Sequence, residues 1–125
     1  MKKDADKEFI KVTADDKKMT RILRLLSTDR NPDKMTLLQK ENTLYDLKNA
    51  NPKRFFKIST DKNLEVKAEV EELVSAGVLR RIGNQVVYLD EVIGEDLDDA
   101  VVYLKNKKNS GTLTILRVKL KEAIV

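Results

Sequence analysis

Histidine, cysteine and tryptophan are absent from the 125-residue chain, and only four glycines and two prolines punctuate it. Without His or Cys there is no Cys/His zinc site, disulfide, thiol nucleophile, His-based triad, or haem held by either residue. The glycines (Gly77, Gly83, Gly94, Gly111) stand apart, which excludes a P-loop and a GxGxxG dinucleotide turn. No apolar run approaches the roughly 20 residues that span a bilayer, and the charged start MKKDADKE is not a signal peptide. These absences point away from an enzyme and from a membrane protein. No catalytic residue, metal or cofactor is expected, and the length suits one domain with a real core.

What the chain does have is charge in blocks. Residues 1–60 carry a net +6, residues 61–104 a net −7 and residues 105–125 a net +5, inside a total of only +4. Nucleic acid bound over the whole surface would not tolerate an acidic middle third. Blocks of opposite sign suit contact between copies, or with a partner patterned the other way, unless they merely solvate helix faces.

The first dozen residues read as a charged N-terminal arm (1–12), followed by one helical domain over 13–125. Thr13 is placed to cap a helix whose first turn carries Asp15 and Asp16 and whose stripe is Met19, Ile22, Leu23 and Leu26. The cluster STDRNP stops it, and Asn31-Pro32 starts a second helix. There Met35, Leu37, Leu38, Leu44, Tyr45 and Leu47 form a broad band that predicts deep burial. Asn51-Pro52 opens a short helix over 53–58. A helix over 61–76 presents Val66, Val70, Leu73 and Val74 and stops at Gly77. VLRRI-GN-QVVYL predicts a hairpin with a Gly83-Asn84 turn of type I′. Leu97, Ala100, Val101 and Leu104 then mark another helix. The tail 112–124 fits helix by its Leu113, Leu116, Leu120 spacing and strand by its 116–120 alternation; the Asn109-Ser110 cap favours helix.

Two constellations have bland readings beside sharp ones. KRFFK at 53–57 is either a stacking platform for single strands or two core phenylalanines with outward cations, and the few aromatics favour the second. Glu95, Asp98 and Asp99 have spacing for a divalent ion, but carboxylates in a first turn follow from the helix dipole alone.

The order helix, helix, short helix, helix, hairpin, and EELVSAGVLRRIGNQVVYL in particular, resembles the recognition helix and wing of winged-helix domains. The fold class expected is mainly α with a small β-hairpin: a winged-helix-like portion at about 32–89, then C-terminal helices at about 95–124. In DNA-binding members that helix enters the major groove with basic or amide side chains. Here it offers Glu65, Glu69, Glu71 and Glu72, which phosphates repel, so protein contact is the better use. The expected partner-binding residues are Glu69, Glu71 and Glu72 with the opposing cations Arg80, Arg81, Lys105, Lys107, Lys108 and Arg117.

The last 50 residues, through Gly77, Gly83-Asn84, Ile93-Gly94, Ala100, Tyr103-Leu104 and Asn109, resemble small virion-associated proteins of tailed bacteriophages. The resemblance implies a non-catalytic assembly protein, a structural component of the particle in capsid, connector or tail. Its partners would be other protein subunits, of the same or a different kind, and its location the virion or host cytoplasm. The alternative is a winged-helix-like nucleic-acid-binding accessory protein using Arg80, Arg81 and the 105–121 cations, with backbone contact through the basic ends.

Overall fold

A computed structural model of the chain describes residues 2–26 and 31–124, so the STDR part of the expected helix stop lies outside the described residues. The protein is mainly α with a small antiparallel sheet. It divides into two compact units, Met1–Ala68 and Glu69–Val125, where length alone suggested one domain.

The first unit begins with a correction. Residues of the expected arm form helix α1 (Lys2–Thr13), and Ala5 and Val12 are completely buried. The signal was the spacing Ala5, Phe9, Val12, obscured by seven charged neighbours. Thr13 ends this helix instead of capping the next. Asp15 takes the capping role, accepting the Lys18 N–H ahead of α2 (Asp16–Leu26), which buries Met19, Ile22 and Leu23 as expected. Asn31-Pro32 opens only a 3-10 turn, Pro32–Lys34; α3 (Leu37–Ala50) waits for Thr36, whose reciprocal bonds with Gln39 make a capping box. Asn51 caps α4 (Pro52–Ser59) through the Arg54 N–H, as the Asn-Pro signal predicts. Val12, Met19, Ile22, Leu23, Leu44 and Phe55 fill the core, closed by Leu64 from α5 (Leu64–Ser75).

The broad apolar band expected on α3 holds only in part: Leu44 is fully buried and Met35 and Leu47 pack against the core. Leu37, Leu38 and Tyr45 are 53%, 65% and 51% exposed, while the inward face is Lys40, Leu44 and Lys48. Lysine can do this because its aliphatic stem packs in the core while its amine reaches a carboxylate at the margin. Lys40 meets Asp16 at 2.7 Å and Lys48 meets Asp6.

The second unit starts within α5, where Val70 and Leu73 are buried and Val66 and Val74 only partly so. Gly77, at φ +80°, closes the helix: its N–H donates to Val74 and that of Val78 to Leu73, a Schellman motif. β1 (Arg80–Ile82) and β2 (Gln85–Tyr88) form the expected hairpin, and β3 (Glu91–Gly94) adds a strand that sequence did not announce. Gly83 has φ +62° but Asn84 does not share the positive φ, so the first turn follows a type II′ pattern and not the expected I′. The second turn, Leu89-Asp90, carries a leucine at φ +56°. A register irregularity between Val86 and Val87 brings Val86 opposite Gly94. Asp96 then caps α6 (Leu97–Lys105), which buries Ala100, Val101 and Leu104. A 3-10 turn capped by Asn106 leads into α7 (Ser110–Ile124), so the ambiguous tail is helical. No described helix is long and apolar enough to cross a membrane.

Candidate functional site

The nine residues that sequence marked for partner contact all lie in the second unit, and four of them pair with one another. Arg117 on α7 grips Glu69 on α5 by two hydrogen bonds of 3.0 Å. Arg81 on β1 grips Glu71 by bonds of 2.6 and 3.2 Å. Glu72 is half-buried and engaged. Such forks fix orientation as well as charge, so these groups tie the strand and the last helix to α5. The carboxylates are mostly covered: Glu69 and Glu71 side chains keep 19% and 22% of their surface. Two carboxylates of the acidic middle block, Glu69 and Glu71, are therefore compensated inside the unit.

Arg80 is exposed, and its Nη2 donates to the Leu89 carbonyl at 2.7 Å, bracing the leucine turn. Lys105, Lys107 and Lys108 are exposed around the α6–α7 joint; Lys107 and Lys108 have no ion pair among the described residues. Glu95 accepts from Gln85 at 2.8 Å, and Asp96 caps α6. Among the described residues no group of three or more acidic side chains is gathered to hold a metal ion.

In the first unit the phenylalanines of KRFFK turn inward. Phe55 is fully buried and Phe56 packs against the core, while Lys53, Arg54 and Lys57 face solvent. The segment does not present two rings to solvent, because Phe55 is core and Phe56 is half-buried against it. Lys48 places its ammonium 5.1 and 4.7 Å from the ring centroids of Phe9 and Tyr45, and those two rings meet edge-on at 5.8 Å. Sequence also missed the outward side of α1, where Lys3, Lys7 and Lys11 stand exposed at i, i+4, i+8. Once residues 2–13 are seen as helix, that spacing is plain.

Compared with known protein families, curated proteins and solved structures, the chain matches none.

Proposed function

We propose that the chain is a non-catalytic interaction and assembly protein whose partners are other protein subunits. One observation carries the reading: Leu37, Leu38 and Tyr45 stand half or more exposed along α3, with lysines taking the interior positions. Singly exposed apolar residues are ordinary, but paired leucines at the start of α3 and a tyrosine two turns on offer apolar anchor points that a subunit can cover. A setting in a bacteriophage particle, as part of capsid, connector or tail, rests on the resemblance of the last 50 residues. A virion or host-cytoplasm location follows from that setting.

The alternative, nucleic-acid binding through the wing, has less support. Arg81 and Arg117 already grip Glu71 and Glu69, and Arg80 braces a turn. Native mass measurement of the purified protein and of its assembly tests the proposal. The expected result is a stoichiometric complex that Leu37→Asp with Leu38→Asp, carboxylates that a helix's first turn accepts, dissolves while circular dichroism stays helical. A monomer at all concentrations and in every assembly sinks it.

A further inference from the structure

We propose that Lys3, Lys7 and Lys11 on α1, with Lys53, Arg54 and Lys57 on α4, bind the phosphate backbone of a nucleic-acid duplex without reading its sequence. The inference stands apart from the assembly reading and rests on other residues of the same unit. It starts from helical geometry. Side chains four positions apart advance by about 6 Å along the axis and only slightly around it. Lys3, Lys7 and Lys11 thus form one ridge, on the side of α1 away from Ala5 and Val12, and all three are exposed. α4 packs against α1 and turns Lys53, Arg54 and Lys57 outward, away from buried Phe55 and Ser59.

The carboxylates of the same helices do not balance this charge. Asp6 is drawn to Lys48 and Glu8 to Lys18, at 2.5 and 3.3 Å. α4 contains no acidic residue. Asp4 is the exposed acid left on the two helices, and Asp61 just beyond α4 feels Lys57 but is bonded to Lys67. Six outward cations therefore face solvent with little local compensation, and none of the six has an ion pair among the described residues.

The chemistry selects the ligand. Five of the six are lysines, compact point charges suited to phosphate and without the planar fork that reads a base edge. The outward positions hold no Asn or Gln to read adenine. Phe55 is core and Phe56 is half-buried against it, so two rings for stacking on unpaired bases are not presented, which favours a duplex over a single strand. A protein partner would need an apolar centre, and Ile10 is the one large apolar side chain exposed on these two helices.

The test is fluorescence anisotropy of the full chain on a labelled duplex of about 20 base pairs, at 50 to 200 mM salt. If all six cations contact phosphate, the log–log salt slope should be about −5, roughly a thousandfold weakening across that range. Two duplexes of unrelated sequence should bind alike. Replacing Lys3, Lys7 and Lys11 by Gln, a good helix former, should make the slope shallower by about 3. Lys53→Gln, Arg54→Gln and Lys57→Gln together should do the same, and this second variant serves if the first fails the circular dichroism check. Lys105→Gln, Lys107→Gln and Lys108→Gln together should leave the slope unchanged. No duplex binding at 50 mM salt, or a slope indifferent to both helix variants, overturns the proposal. So does tighter binding of a poly-glutamate peptide, which would assign the face to an acidic protein. Preference for a single strand over the duplex would refute the backbone mode.

Discussion

Arg117 and Glu69 are 48 positions apart in sequence, yet they meet through two hydrogen bonds of 3.0 Å from Nε and Nη2 to the two carboxylate oxygens. Arg117 is half exposed and Glu69 largely covered, so solvent screens the pair and its worth is modest. A double-mutant cycle of Glu69→Gln and Arg117→Gln should give a coupling of about 0.5–1 kcal/mol in urea melts. Reversing Glu69, Glu71 and Glu72 to Lys together should lower the melting temperature, since two forks become repulsions. A zero coupling energy would mean that this fork contributes nothing to the stability of the second unit.

Gly94 is buried where β3 hands over to α6. A methyl group there would overlap the Ala100 backbone nitrogen and lie 2.8 Å from the Ala100 Cα and the Asp96 carbonyl oxygen. These are backbone atoms of the cap and first turn of α6, which cannot swing aside as a side chain can. Gly94→Ala should cost about 3 kcal/mol, the upper part of the overpacking range. A variant that unfolds like the parent in denaturant would mean that β3 and α6 are not held this closely.

The two hairpin turns should respond in opposite ways. Gly83 sits at φ +62° and Leu89 at φ +56°, a conformation glycine accepts and leucine resists. Gly83→Val should destabilise by about 1–3 kcal/mol, while Asn84→Ala should stay within about 0.5 kcal/mol because its φ is ordinary. Leu89 is 66% exposed, so little packing is lost on truncation. Leu89→Gly should stabilise by about 0.5–1 kcal/mol, relief of left-handed strain offset by glycine's entropy. Thermal melts that rank the three variants otherwise would contradict the turn geometry.

Local chemistry made much of this fold legible. Asn51-Pro52 states both cap and first helical residue of α4; Leu97, Ala100, Val101 and Leu104 state the buried side of α6. Gly83-Asn84 marks the hairpin. The third strand was hidden because its turn, Leu89-Asp90, has no glycine. α3 misled because Lys40 and Lys48 occupy inward positions that a polarity pattern assigns to apolar residues. The candidate site was legible only as blocks of charge. Pairings such as Glu69–Arg117 depend on tertiary proximity, which no local pattern encodes.

Asp61 supplies a pH signature. The hydrogen bond from Lys67, at 2.5 Å, holds its carboxyl below the ordinary 3.8 against the opposing pull of burial, helped by the Asn63 N–H and by the charges of Lys67 and Lys57. A carboxylate depressed in the folded state stabilises the fold above its unfolded pKa and loses that contribution as pH falls through the lower, folded value. The stability gap between the parent and Asp61→Asn should be constant from pH 6 to 8 and shrink below about pH 4. A gap that widens in acid would contradict the ion pair.

Lys48 and Asp6 offer the sharpest asymmetry. The lysine side chain is 6% exposed and its ammonium rests beside the Phe9 and Tyr45 rings, whereas Asp6 keeps 47% of its surface in water. Removing the two partners therefore cannot cost the same. Asp6→Ala strands a buried cation with only ring faces to stabilise it, a loss of about 1–3 kcal/mol given that water reaches the carboxylate side. Lys48→Met keeps the aliphatic stem, removes the desolvated charge and leaves Asp6 free to hydrate, so its cost should be under about 1 kcal/mol, or a gain. Urea denaturation of the two variants decides the order. If Lys48→Met proves the more damaging, the ammonium contributes net stability to the core of the first unit, and the inward lysines of α3 are anchors in their own right.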